Sequence, residues 1–409
     1  MFVAISNIPR DYAWGADDDI AAFRGVAPSG RPEAELWLGA HAGAPSRIDE
    51  PDAVGGAVDL RAWIAADPER ALGPRFAASG RLPFLLKLLA AAAPLSLQAH
   101  PTPEQARAGF AREEADGVPV DGYERNYRDE FHKPELIVAV SETFDALSGF
   151  RPLDEVAGIL GVLRAADAAD VAHESGAVDL LATHVATGLD DTVAWLLHDG
   201  RGGDTGEAAW VVDRVVRLSA SAEAAASPWA RSFETVGELA AAYPGDPGIV
   251  ISLLLNRVRL RRGEALYLRA GNIHAYLRGL GIELMAASDN VLRGGLTPKH
   301  IDVDELVDVL DFSPIPPPLL APQPGGPGVE TFRPDVPDFL LHRVEPGEDA
   351  SRVELDGPAI VLVERDGVRL EGASGAVDVP RGHAVYVTPD EGALRVTGAG
   401  IAWVATTGR

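Results

Sequence analysis

The chain has 409 residues, 46% hydrophobic and 24% charged, an ordinary globular composition and too long for one small core. Its formal net charge of -25 disfavours nonspecific contact with nucleic acid or anionic membrane, and no Lys/Arg tract offsets it. There is no cysteine, so disulfides and thiolate metal sites are excluded, and any zinc must sit on His, Glu, Asp or an amide oxygen.

In chain order, the opening MFVAISNIPRDYAWG lacks a basic stretch followed by a long apolar run, so no secretory signal is expected and the cytoplasm is the expected compartment. The most apolar stretch, Leu82 to Leu97, is broken by Lys87 and Pro94 and is no membrane span. As far as Pro152, short apolar runs alternate with Gly and Pro, which predicts short strands and turns with a brief helix near Thr102 to Ala115. Leu153 to Tyr243 is Ala-rich with helical apolar spacing, predicting a small bundle with turns at Gly200–Gly203 and Ser227-Pro228. Strand-like sequence returns in VISLLLNRVRL, EALYLRAG and GIELMAAS. The Pro-rich segment Ser313 to Gly328 reads as an extended connector to a final all-β unit, Val329 to Arg409. Arg262-Gly263-Glu264-Ala265-Leu266-Tyr267-Leu268 echoes Arg381-Gly382-His383-Ala384-Val385-Tyr386-Val387, as two related β-barrels or a chance pair of Arg-Gly turns would.

Three segments concentrate reactive side chains. In Leu95–Pro101, strand alternation puts Ser96, Gln98 and His100 on one face and Leu95, Leu97 and Ala99 on the other. A polar face is commonly just solvated, but a His with an amide oxygen two residues away also suits a cation. In Asn126–Glu135, charged residues crowd ahead of the apolar run Leu136-Ile137-Val138; Pro134 stiffens the approach, and Glu135 enters a strand where a carboxylate needs a partner. A hydrophilic loop entering a strand looks the same. The third segment carries His274 beside a turn, Glu283 inside an apolar alternation, then Asp289, Arg293 and Lys299 around a Gly-rich turn. Together they offer an amide, two histidines and a carboxylate for one cation, and several Lys and Arg for an anion.

The stretches YAWG (Tyr12–Gly15), AELWLGAH (Ala34–His41), LPFLLKLL (Leu82–Leu89), LSLQAHP, HKPEL, YPGD, GNIHAYL and SDNVLRGGLTPKHID resemble type I phosphomannose isomerases, in the family's order over most of the first 305 residues. The last 80 or so carry no sharp motif. The resemblance implies a mainly β fold with an α-helical insert: two jelly-roll, cupin-like barrels plus a small helical domain. The domains would be a catalytic barrel from 1–152 and 244–312, the insert 153–243, a linker 313–328 and a second barrel 329–409.

It further implies an aldose–ketose isomerase acting on mannose 6-phosphate and fructose 6-phosphate, with one zinc ion per chain on Gln98, His100, Glu135 and His274. Phosphate-binding roles carry over to Lys87, Ser96 and Lys299; Lys87 lies within FLLKLL, where a snorkelling Lys is ordinary and an inward one needs an anion. Trp14, Glu35, Lys133, Tyr276, Glu283, Asp289 and Arg293 match further active-site positions, although a packed Trp and a structural ion pair also account for Trp14 and Glu35. Glu283 is favoured as general base, with Lys133, His132 and Asp289 as rivals, and Arg293 either stabilises the enediolate or helps sugar-ring opening. The expected partner is a small hexose 6-phosphate, without nucleic acid or membrane, and a monomer is the default. The alternatives are an isomerase of another hexose 6-phosphate and a catalytically silent sugar-phosphate-binding protein.

Overall fold

The computed structural model describes residues 1–200 and 205–408. Its organising strand is Phe84–Ala91, FLLKLLAA, buried along its whole length. Alternation explains a continuous apolar run: both faces are covered. Leu89 and Ala91 point with Ile137, Ala139, Phe144 and Leu266 into the interior of the first barrel. Leu86, Leu88 and Ala90 point with Leu136, Val138 and Leu284 to the other side, where Phe332, Leu341, Ile360, Tyr386 and Trp403 of the C-terminal unit meet them.

The first barrel is a nine-stranded antiparallel sheet centred on one 13-residue strand, His274–Ala286. The segments GNIHAYL and GIELM, expected apart, are the two halves of this strand. Its first half pairs with Gln98–Ala99 and Thr143–Phe150, its second with Phe84–Ala91 and Glu135–Ala139. The register shifts between Tyr276 and Arg278, and Gly279 follows at φ 126. This irregularity lets one strand serve two parts of the barrel wall. It also places His274 and Glu283 on a single element.

The Ala-rich middle forms helices Leu153–Ala169, Gly176–Thr187, Leu189–Asp199, Glu207–Ser219, Ala222–Ala225 and Ala230–Ala242. The turn expected at Gly200–Gly203 falls, from residue 201, outside the described residues. One reading is corrected: Val250 to Leu254, taken as strand, belongs to helix Gly248–Leu254, and the strand starts at Leu255. Every residue of that helix is buried, so the amphipathic period that distinguishes a helix is missing from its sequence. The helical core is continuous with Leu97, Ala99, Ile273 and Ala275, so the insert backs the apolar side of the strands beside the metal-type cluster.

The C-terminal unit packs an eight-stranded against a four-stranded sheet around a Val-rich core. Two expected boundaries shift. The N-terminal strand Phe2–Ser6, assigned by position to the first barrel, pairs with Ala384–Val387 and so completes the C-terminal sheet. The connector expected over 313–328 is only partly extended: Gln323–Gly326 forms an edge strand against Val329–Phe332. Pro324 is tolerated because an edge strand needs hydrogen bonds on one side only. Upstream, Tyr267 and Leu320 donate to Pro318 and Ala265 carbonyls at 3.0 and 2.9 Å, so the Pro-rich stretch straps the rim of the first barrel. The Arg-Gly echo is structural: Gly263 and Gly382, at φ 86 and 75, each precede a strand, Ala265–Leu268 and Ala384–Val387. Among the described residues no helix is long and apolar enough to cross a membrane.

Candidate metal centre

His100, just past the strand Gln98–Ala99, converges with Glu135 and His274 from two other strands, all buried, with one ligand atom from each lying within 4.8 Å of the others. Glu135 Oε1 is 3.2 Å from His100 Nε2, and its Oε2 is 3.3 Å from His274 Nε2. His100 Nδ1 meets the Asn290 carbonyl at 2.8 Å and His274 Nδ1 the Asn272 carbonyl at 3.0 Å. Those carbonyls accept only from N–H, which fixes the tautomer and leaves both Nε2 lone pairs facing Glu135. Both Nε2 atoms and Glu135 Oε2 are buried without a hydrogen-bond partner. A cation supplies what these orphaned acceptors lack. Burial, then the Lys133 charge, lowers His100 to about 4, which keeps the imidazole neutral as a ligand must be. Burial alone would raise Glu135, but the Lys133 ammonium, 3.0 Å from Oε1, opposes burial, and Glu135 is held well below its ordinary value. Gln98 stands opposite His274 on one side and opposite Arg293 on the other. Antiparallel partners share a face, so Gln98 and Arg293 flank the cluster on its own side.

A second buried cluster adjoins. Lys87 and Glu283 are cross-strand partners, and their charged atoms lie 2.9 Å apart; Glu35 is 3.4 Å from Lys87 Nζ. The anion that an inward Lys87 needs is thus supplied by the protein itself. Glu35 also accepts from Trp37 Nε1 at 3.0 Å, and Lys87 sits 5.2 Å from the Trp37 ring centroid. Burial raises Glu283 above its ordinary value, opposed by Lys87 and reinforced by Glu135 and Glu35. Burial and Glu283 push Tyr276 far up, so its phenol stays protonated. Trp14 packs on the barrel interior and stacks on Tyr12 at 5.7 Å.

The rim is cationic. Burial, then Arg128, lowers Arg293, while burial, Arg293 and Arg128 lower Lys299. Ser96, half-buried, precedes Leu97, which exchanges backbone bonds with Gly294 and Gly295 at 2.8 and 3.1 Å. Asp289 Oδ1 lies 3.0 Å from His41 Nε2. Burial would raise Asp289, but His41, Lys133 and Arg128 prevail and lower it. Lys133 Nζ is 3.0 Å from Glu135 Oε1. His132 is turned elsewhere: its Nε2 lies 2.8 Å from Asp338 of the C-terminal unit. The side chains at 132 and 133 therefore engage different partners, one a C-terminal-unit carboxylate and the other Glu135.

Four residues here carried no role in the sequence. His41 ends AELWLGAH, and its Nδ1 accepts from Gly43 N at 3.0 Å, which puts the proton on Nε2, toward Asp289. Arg128 lies in the charged run that drew attention to Lys133. Asn290 sits between Asp289 and Arg293. Asp338 lies in a segment without any motif, so only the fold reveals it.

One buried His/His/Glu cluster in a cupin-type barrel, with carboxylates beside it and cations at the rim, defines a single-metal enzyme for an anionic polar substrate. Residues 2–153 match the family model for the phosphomannose isomerase type I catalytic domain. Mannose-6-phosphate isomerase of Escherichia coli (strain K12) is 36% identical over 397 residues, 96% of each chain, and mannose-6-phosphate isomerase 1 of Arabidopsis thaliana is 30% identical over 393 residues, 93% of this chain and 88% of its own. A crystal structure of a single-site variant of phosphomannose isomerase from Salmonella typhimurium superposes with TM-score 0.87 at 33% identity, covering 100% of both chains. A zinc-bound mannose 6-phosphate isomerase superposes with TM-score 0.85, also at 33% identity and full coverage. The chain belongs to the type I mannose-6-phosphate isomerase family.

Proposed function

We propose that this chain interconverts D-mannose 6-phosphate and D-fructose 6-phosphate in the cytoplasm, as a monomer using one zinc ion. The observation that carries the reading is the buried His100/Glu135/His274 triad with its orphaned ligand atoms, in a chain that aligns end to end with mannose-6-phosphate isomerases. These three residues and Gln98 would hold the zinc. When bound, zinc supplies a positive charge that stabilises oxyanion character at the sugar oxygens.

Isomerisation requires one proton to move between carbons. The C2–H proton passes to a base, its electron pair forms the C1=C2 bond, and the carbonyl electrons go to O1. The O2 proton passes to O1, the O2 electrons form the C2=O bond, and the C1=C2 pair takes the proton back from the base at C1, which gives the ketose with no net gain or loss of protons. Glu283 is our choice of base, because burial raises it toward the range where a carboxylate both accepts and returns a proton. Lys87, 2.9 Å from its carboxylate, orients it. Lys133 remains the rival for this role, and Asp289, held low by His41, is the weaker base. Tyr276 is a fixed donor beside Glu283. Arg293, flanking the cluster through Gln98, stabilises the enediolate. His132, engaged by Asp338, acts on the placement of its loop and not on the proton. Ser96 and Lys299 serve the phosphate, while Lys87, already neutralised by two carboxylates, serves Glu283.

The test is a coupled assay of fructose 6-phosphate formation before and after chelation. Activity should vanish with the metal and return with zinc. A folded, zinc-loaded chain without turnover would overturn the reading. Size-exclusion chromatography at assay concentration checks the monomer.

A further inference from the structure

Three cations, Arg128, Arg293 and Lys299, gather in a chain whose net charge is -25. The loop leading to Arg128 is tied to the turn that carries Lys299: Tyr123 Oη donates to the Pro298 carbonyl at 3.4 Å and Asn126 Nδ2 to Asp302 Oδ2 at 2.8 Å, and Arg128 acts electrostatically on both Arg293 and Lys299. Among the described residues neither the Arg128 nor the Arg293 guanidinium has an ion pair or a hydrogen bond. Asp289 also feels Arg128, but His41 engages that carboxylate at 3.0 Å.

Arg128 is exposed, yet its backbone is held firmly. Asn290, wholly buried, accepts from Arg128 N at 2.7 Å and from Asp129 N at 3.2 Å through Oδ1. Its Nδ2 donates to the Asp129 and Phe131 carbonyls at 2.7 and 2.8 Å. Its own carbonyl meets His100 Nδ1 at 2.8 Å. One residue thus ties the loop that carries Arg128 to a metal ligand. An ordinary solvated arginine needs no such clamp, and like charges held together this way are stabilised by an anion between them. A guanidinium fork matches phosphate oxygens better than any other side chain.

We infer that Arg128 is a further phosphate-binding residue, presented beside Arg293 and Lys299 by the buried Asn290 clamp. The inference rests on the isomerase reading for the identity of the phosphate ester, though not for the anion.

The test uses the zinc-loaded full chain, with inorganic phosphate as the probe in calorimetry and as a competitive inhibitor. Arg128→Gln should weaken phosphate binding about tenfold or more and raise KM in parallel, with kcat falling far less and zinc content unchanged. Arg128→Lys should fall between, because it keeps the charge and loses the fork. Asn290→Asp, which turns the Nδ2 donor into an acceptor facing two carbonyls, should shift KM in the same direction. If that variant misfolds or loses zinc, Arg128→Gln alone decides. Unaltered phosphate affinity in Arg128→Gln overturns the inference. Arg128-dependent phosphate binding in a parent chain without isomerase activity would sink the isomerase reading and leave the inference standing.

Discussion

At the residue scale, the chemistry depends on keeping charged groups buried next to one another without neutralising the wrong ones. Glu135 faces two imidazoles and Lys133, while Glu283 faces Lys87, so each carboxylate has its own cation. Arg293 differs: it neighbours other cations and has no carboxylate partner among the described residues. A guanidinium in that position acts on negative charge that the substrate brings or develops nearby. Arg293→Ala should therefore retain zinc, measured by metal analysis, and lose roughly 10²- to 10³-fold in kcat, the usual effect of deleting one oxyanion-stabilising donor. Full retention of kcat would remove Arg293 from the reaction. The residue types of this site were legible in the sequence, because Gln98, His100, Glu135 and His274 offer a ligand set and the rim offers cations. Their pairings were not. Lys87 finds Glu283 only because two strands distant in sequence lie in one register. His132 and Lys133 are chain neighbours, and nothing local says that one meets Asp338 and the other Glu135.

At the element scale, the strand His274–Ala286 carries most of the design. It places a candidate metal ligand at one end and the candidate base nine residues on, with a change of register in between. Gly279 permits the change. At φ 126 its backbone is strained for any residue with a side chain, and a Cβ there would lie 2.8 Å from the Thr143 carbonyl oxygen and 2.9 Å from Phe144 Cα. Gly279→Ala should destabilise the fold by about 1–3 kcal/mol, read as a lower midpoint in chemical denaturation. Because the register of Glu283 against Lys87 depends on this irregularity, kcat should fall with it. An alanine variant as stable as the parent would show that the strand tolerates a regular path. The sequence signalled strands on both sides of this point but not their continuity, since Arg278, exposed between buried stretches, breaks the alternation. Helix Gly248–Leu254 was illegible for the opposite reason: it is apolar on every side.

At the scale of the whole molecule, the second β unit is part of the first barrel's construction. The sheet that holds Lys87, Glu135 and Glu283 toward the barrel interior turns Leu86, Leu88, Leu136, Val138 and Leu284 the other way, against Phe332, Leu341, Ile360, Leu362, Tyr386 and Trp403. Tyr386 also donates to the Ala71 carbonyl at 2.9 Å, and Trp63 meets its ring edge-on at 5.7 Å. The N-terminal strand reinforces the union, since Phe2–Ser6 is hydrogen-bonded to Ala384–Val387 while the next residues of the chain enter the first barrel. A boundary at residue 329 therefore cuts one shared core, which the motif-poor C-terminal sequence gave no means to foresee. Removing residues 329–409 should expose that apolar face and leave Phe2–Ser6 without its partner. Burial is worth roughly 25 cal/mol per Å² of apolar surface, so stripping several large side chains of cover exceeds the 5–15 kcal/mol by which a domain is usually stable. The truncated chain should be insoluble or lack cooperative unfolding, and it should fail to retain zinc, although all four proposed ligands remain. A soluble truncation that binds zinc stoichiometrically and unfolds cooperatively would show that the first barrel is an independent unit.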